Sequence, residues 1–424
     1  MSQHQIKQQY LDYQRGDPVE AYVAWRQGDC EGRLLVVDFE FASWWLANEP
    51  VVPLTALYLC SDGQVHCAVV SADLDASEKD AASQMGRWAQ QYKLLVVRLG
   101  AILPLMQTAI PKPWGQEIWF TGVEERGVCA FGDDHASALI PQLQAVLPGD
   151  AYGAAGLPLV LLKILDPSAD DVTGDLYFEM HEEKREVYVV THVDRTAWPD
   201  GVGAIRYGFA EDKIKAAGNE QAFREAYLEA VQAYEAVRRQ IDEGDSSARL
   251  LSQERELRLE MDSFTHMRPL ATGDVVVVPL RMPHSLQHGV RTIEFQTPVY
   301  ERKILSFAQR VLTQDHWDTA QALPDMRLTP PSEQTFEQLD AAAGIRCERI
   351  VDFEDFEVRR LVVEAGSEFL LEAAQSYSLV ILVEGEIHIE GLSFGPEQAF
   401  ILPAGALLAG AFGPLVALQA LPRS

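Results

Sequence analysis

Gly174-Asp-Leu-Tyr-Phe-Glu179-Met-His181-Glu-Glu-Lys-Arg-Glu186 is the stretch on which the reading of this chain turns. Side chains alternate faces along a strand, so Glu179 and His181, two apart, point the same way. The Glu-Glu-Lys-Arg tetrapeptide allows a tight turn, after which Glu186 is expected to open the next strand beside them. A second stretch, Gly273-x5-Pro279-x4-His284, brings another imidazole to the end of the hydrophobic run VVVVPLRMPH. Two histidines and two carboxylates on rigid strands suit zinc, iron or manganese, with positions left open for water or substrate. Glu179, His181, Glu186 and His284 are therefore the expected ligands of one divalent metal ion, zinc first, with iron or manganese as alternatives.

Outward from this centre the pattern is mainly β. Short apolar runs (LPLVLLKIL, DLYFEM, EVYVVTHV) alternate with turn signals such as DPSADDVTGD. Between Glu186 and His284 the texture changes: residues 211–262 are rich in Ala, Glu, Arg and Gln. Phe223, Ala226, Tyr227, Ala230, Val231, Tyr234 and Val237 recur there at helical spacing. Strands return with VVVVPL and TIEFQ, and the proline pair in LTPPSEQ marks a boundary. Beyond it, FEVRRLVVEAG, YSLVILVEGEIHIEG and QAFILPAG read as a further β unit. In the first hundred residues, Leu34–Phe41, Thr55–Cys60 and Val65–Val70 read as strands, Ser77–Tyr92 as an amphipathic helix and LLVVRLG as a short closing strand. The expected organisation is an α/β N-terminal region of unassigned role (1–108), a metal-binding β-barrel (109–210 and 263–330), a helical insertion (211–262) and a C-terminal barrel-like domain (331–424).

Composition narrows the partners. At 424 residues the chain is too long for one ordinary core. Its 63 acidic against 35 basic residues give a formal net charge of −28. Such a surface repels phosphate backbones and anionic membranes, so neither nucleic acid nor membrane is expected as a partner, while a homo-oligomer stays open. Five scattered cysteines without a CxxC spacing support neither a disulfide framework nor a cysteine zinc site. With a polar N-terminus lacking a signal-peptide apolar core, they point to the cytoplasm. The 23 uncharged residues from Ala399 to Leu421 are long enough to span a bilayer. Pro403, Gly405, Gly410, Gly413 and Pro414 break them into buried strands and turns instead.

The two ligand stretches resemble the paired motifs of the cupin superfamily: Gly, His-x-His and a following Glu, then Gly-x5-Pro-x-Gly-x2-His. Glu179 stands for the first His and Arg281 for the Gly after the Pro. Further matches resemble class I phosphomannose isomerase. They are the PxPWG segment at Pro111–Gly115, the LPLLxKxL strand with Lys163, and Gln-x-His at Glu179 and His181. Lys-x-Glu-x-Trp-Tyr is matched at Lys184, Glu186 and Tyr188, and Glu-x-Gln at Glu294 and Gln296. A helical insertion precedes the last ligand in that family, as here. The resemblance covers roughly residues 109 to 424 and implies a bicupin whose second barrel lacks ligands, since Leu408 stands where its His would be. The chain departs from the family in a shorter loop between His181 and Glu186. It also has Thr297-Pro-Val-Tyr300-Glu-Arg302-Lys303 in place of the segment that carries the family's active-site Arg.

The function implied is a metal-dependent sugar or sugar-phosphate isomerase that interconverts aldose and ketose through an enediol. Glu294 is then the candidate proton-transferring base, or alternatively a carboxylate that orients a ligand, with His288 second and Arg302 in the place of the family's Arg. Lys112, Trp114, Lys163 and Lys303 are the candidate substrate-binding residues. A lysine within an apolar strand needs an anionic neighbour, and for Lys163 that is a substrate phosphate or equally Glu179 or Glu186. Two other readings stay open. One is a different metal-dependent cupin enzyme, an isomerase of unphosphorylated sugars or an iron dioxygenase. The other is a non-catalytic carbohydrate-binding or regulatory cupin.

Overall fold

The computed structural model describes residues 9–149, 159–311, 314, 316–331, 335–373 and 375–423. They form a mainly β protein with seven helices among the described residues. They divide into two compact units: one drawn from Met1–Thr108, Trp119–Val160 and Glu337–Ser424, the other from Ala109–Ile118 and Leu161–Phe336.

In the first unit, Leu11–Arg15 pairs in parallel with Arg33–Ala42, and Val51–Ser61, Gln64–Val70 and Val97–Arg98 continue the sheet antiparallel. A parallel pair needs a crossover, supplied by the helix Pro18–Arg26. The Asp17 side chain caps this helix by accepting from the Glu20 N–H, and Pro18 opens it. The second helix runs Ala81–Tyr92, starting later than Ser77 because Asp80 caps it through the Ser83 N–H. The strand expected in LLVVRLG shortens to Val97–Arg98. The uncharged C-terminal stretch is indeed strands: Ala399–Leu402, Leu407–Phe412 and Leu415–Pro422. Two of these lie in a nine-stranded sheet that also takes in Leu103–Leu105 from near the other end of the chain. Among the described residues no helix is long and apolar enough to cross a membrane.

The second unit holds two sheets. A six-stranded sheet runs, in spatial order, Val275–Val278, Glu186–Val193, Val290–Gln296, Leu161–Pro167, Gly115–Trp119 and Thr108–Lys112. A five-stranded sheet runs Thr265–Leu270, Gly203–Phe209, His284–Leu286, Phe178–Met180 and Lys303–Ser306. Glu179 and Glu186 therefore do not sit on neighbouring strands of one hairpin, as the sequence suggested. The link 181–185 crosses from one sheet to the other, held by the Arg281 N–H donating to the His181 carbonyl at 2.6 Å. Gly115 shows why the PxPWG segment ends in glycine. At φ +149° a Cβ there would lie 2.3 Å from the Asp166 carbonyl oxygen, so only glycine lets this hairpin close on Leu161–Pro167.

The helices Glu211–Ala217, Glu220–Asp242 and Ala248–Asp262 are inserted between two paired strands, Gly203–Phe209 and Thr265–Leu270. The longest is capped by the Asn219 side chain accepting from the Ala222 N–H. It buries Phe223, Tyr227, Val231, Tyr234 and Val237 of the stripe read from the sequence, while Ala226 is exposed and Ala230 half-buried; Phe209 packs edge-on against both Phe223 and Tyr227.

Candidate metal centre

Strand register assembles the site. In the six-stranded sheet Lys163 stands opposite Glu294 and Glu294 opposite Tyr188; two residues along, Gln296 stands opposite Glu186. Directly opposed residues share a face, as do residues two apart, so these five line one face of the sheet. In the other sheet Glu179 stands opposite His284. The two sets meet between the sheets, where His284 Nε2 lies 3.1 Å from Glu186 Oε2.

Both imidazoles are fixed in orientation. His181 Nδ1–H donates to the Glu301 carbonyl at 2.9 Å and His284 Nδ1–H to the Met282 carbonyl at 3.0 Å. Each therefore turns Nε2 inward, the second-layer arrangement that orients metal-binding histidines. One donor atom each from Glu179, His181 and His284 lies within 4.8 Å of the others. Glu186 lies between the histidines. Its Oε1 is 3.4 Å from His181 Nε2 and 2.7 Å from Lys184 Nζ, and its Oε2 accepts from the Tyr188 hydroxyl at 2.6 Å. Around zinc, donors sit about 2.0–2.2 Å out and so roughly 3–4 Å from one another, which these separations approach. The buried atoms His181 Nε2 and Glu179 Oε2 have no hydrogen-bond partner. A buried polar atom left so is costly unless something coordinates it, and the donor set of nitrogen and carboxylate oxygen fits a divalent cation.

The charges reinforce this. Burial opposes ionisation of Glu186, yet Lys184 and His181 hold its carboxyl well below the usual range. Burial likewise opposes ionisation of Glu179, and His181 and Arg302 bring its carboxyl down. Burial, and next the charge of Lys184, lower His181, whereas for His284 the bond to Glu186 overcomes burial and raises it.

Beside the histidines lies a second buried group. Lys163 Nζ is 3.3 Å from Glu294 Oε2 and 3.7 Å from Glu117 Oε1, and Lys112 Nζ is 3.0 Å from Glu117 Oε2. The carboxylates in direct contact with Lys163 are thus Glu294 and Glu117; Glu186 and Glu179, which the sequence offered, act on it from farther off. Burial, only partly offset by Lys163, pushes the Glu294 carboxyl well above its ordinary range, and Glu294 Oε1 has no hydrogen-bond partner.

The remaining sequence candidates fall in different places. Arg302 lies 4.0 Å from Glu179 Oε2 with its guanidinium 4.6 Å from the Tyr177 ring centroid, at the edge of the histidine group. Lys303 stands opposite Met180, on the other face of its strand from Glu179. Trp114 is buried in the core. His288 belongs to a separate group: its Nδ1 bonds Asp175 at 2.8 Å and its ring stacks on Trp198. Sequence reasoning missed Glu117 and Glu301. The Glu301 carboxylate accepts from the Glu182 and Glu183 N–H groups while its carbonyl holds His181. Glu301→Ala frees that turn, and metal affinity measured by competition with a chromophoric chelator is expected to drop about tenfold.

Arg281 occupies the left-handed region at φ +66°, which explains glycine at that point of the cupin motif. Arg281→Gly is expected to raise stability by about 1 kcal/mol in urea unfolding, because a Cβ is strained in that conformation.

Fold and site together define a cupin-like β protein with a histidine–carboxylate group set between two sheets. No family model matches the chain, and no curated protein matches it. Solved structures do. Mannose 6-phosphate isomerase from Bacillus subtilis is similar at a TM-score of 0.55 and 14% identity, over 76% of this chain and 99% of that one. A variant of phosphomannose isomerase from Salmonella typhimurium is similar at 0.56 and 12%, over 76% and 100%. A zinc-bound mannose 6-phosphate isomerase is similar at 0.55 and 12%, with the same coverage. At these identities the likeness is one of fold.

Proposed function

We propose that this chain is a metal-dependent aldose–ketose isomerase acting on a sugar or sugar phosphate. The observation that carries the reading is Glu294, a buried carboxyl held well above the usual range, with one free oxygen, on the sheet face that also presents Glu186. Glu179, His181, Glu186 and His284 would hold the metal, zinc by analogy with the zinc-bound structure of similar fold. Bound there, the metal would supply Lewis-acid stabilisation of oxyanion character on the sugar oxygens. The chain's own residues do the rest. Glu294 takes the proton from the carbon next to the carbonyl and returns it to the neighbouring carbon. Lys163 keeps Glu294 oriented and moderates its basicity. Tyr188 and Lys184 fix Glu186, and Arg302, lying over Tyr177 at the edge of the site, is placed to bind a hydroxyl or anionic group of the substrate.

The test is incubation of the zinc-, iron- or manganese-loaded protein in D2O with mannose 6-phosphate, fructose 6-phosphate and the unphosphorylated hexoses, followed by NMR. Ketose formation with deuterium at the carbon beside the carbonyl is the expected result. Metal-loaded protein that catalyses neither conversion nor exchange on this panel overturns the reading.

A further inference from the structure

Outside this site, two of the five cysteines stand together. Cys30 follows the helix Pro18–Arg26 and Cys60 lies near the end of the strand Val51–Ser61; their sulfurs lie 3.2 Å apart, with the Cys30 thiol donating to Cys60 Sγ. Arg26 Nη1 lies 3.1 Å from Cys30 Sγ and 3.3 Å from Cys60 Sγ. Cys60 Sγ thus receives two donors, while its own thiol donates to Glu31 Oε2 at 3.6 Å. The backbone holds the pair in place. Gly32 N–H donates to the Cys60 carbonyl, Arg33 N–H to the Cys30 carbonyl, and the Glu31 carboxylate accepts from the Asp62 and Gly63 N–H groups. Both thiols are buried, while the Arg26 side chain above them is exposed.

We propose that Cys30 and Cys60 are an oxidisable dithiol, which a peroxide converts to a disulfide with Arg26 as the positioning residue. A disulfide bond is about 2.05 Å long, so closure from the observed separation needs roughly an ångström of side-chain movement and no rearrangement of strands. The attacking thiolate is that of Cys30, whose sulfur lies nearer the guanidinium, at 3.1 Å against 3.3 Å for Cys60. That thiolate attacks one peroxide oxygen, breaking the O–O bond; Cys30 becomes a sulfenic acid and the other oxygen leaves as water after taking up the thiol proton. The Cys60 sulfur then attacks the Cys30 sulfur, the S–O bond breaks, and a second water leaves with the Cys60 proton. Two thiols and one hydrogen peroxide thereby yield one disulfide and two waters. Burial pushes the thiols of Cys60, Cys67 and Cys129 alike up to about 12, so what singles out Cys60 is its place 3.2 Å from Cys30.

The experiment uses the reduced full-length protein, exposed to hydrogen peroxide, alkylated and mapped by mass spectrometry. The expected result is loss of two of the five thiols, with Cys30 and Cys60 recovered in one cross-linked peptide pair lighter by two hydrogens. Cys60→Ser is expected to stop the reaction at the Cys30 sulfenic acid, captured by dimedone, and Arg26→Gln to slow disulfide formation about tenfold. Five thiols persisting in the wild-type chain, or a disulfide joining any other pair, overturns the proposal without relying on a variant that folds. An unchanged rate in Arg26→Gln overturns the part given to the guanidinium.

Discussion

Purified without chelators, the protein is expected to carry about one equivalent of zinc, iron or manganese per chain, falling roughly tenfold or more in the His181→Ala/His284→Ala double variant. The expectation rests on two imidazoles whose Nδ1 atoms are already committed to the Glu301 and Met282 carbonyls, leaving only Nε2 to face the carboxylates. Removing both takes the nitrogen donors away and leaves Glu179 and Glu186 facing Lys184 and Arg302, an internally neutralised pocket with little hold on a dication. Elemental analysis by mass spectrometry checks the stoichiometry. His288→Ala tests the separate group of Asp171, Asp175 and His288, whose donor atoms also lie close enough to hold an ion: one equivalent surviving in that variant assigns the metal to His181 and His284. Metal bound to the folded state also stabilises it, by about 2.7 kcal/mol at a free concentration a hundred times the dissociation constant. Melting temperature should therefore fall on chelation in the wild type and not in the double variant. Wild-type protein that stays metal-free after incubation with all three ions would leave the chain as a scaffold for binding rather than for chemistry.

How far the sequence revealed this site depends on how each residue enters it. Glu179, His181 and His284 were legible because strand alternation and the Gly-x5-Pro-x4-His spacing act locally. The helical insertion was legible for the same reason, through the stripe from Phe223 to Val237. The sheet change between His181 and Glu186 was not, because a five-residue link that turns a hairpin and one that crosses between sheets look alike in sequence. Glu117 joins Lys163 only through the order of strands in the sheet, which no local pattern encodes. Glu301 holds His181 through a backbone carbonyl, to which the side chain gives no clue. In the N-terminal region the helix Pro18–Arg26 buries only Pro18, Ala21 and Trp25, too few for a clear period, although Asp17 and Pro18 announce its start.

Glu294→Gln is expected to lower isomerase turnover by about 10²–10⁴ while leaving the metal in place. The amide keeps the shape of the side chain but cannot take and return a proton. Glu294 lies outside the compact ligand group of Glu179, His181 and His284, so metal content separates this loss from collapse of the centre. The alternative, a carboxylate that merely orients its neighbours, predicts a different pattern: weaker metal binding, with turnover restored by excess metal. The pH profile offers a second discrimination. Burial holds the Glu294 carboxyl well above its usual range, so the basic form accumulates only as pH rises, and activity should climb through that elevated value. The Lys163 ammonium, 3.3 Å away, is what pulls it down. Lys163→Met removes that pull, and the acidic limb of the rate profile is then expected to move to higher pH. A limb that stays put in Lys163→Met, with Glu294→Gln keeping most of its turnover, would place the proton transfer on another group and leave the Lys163–Glu294 pair a structural one.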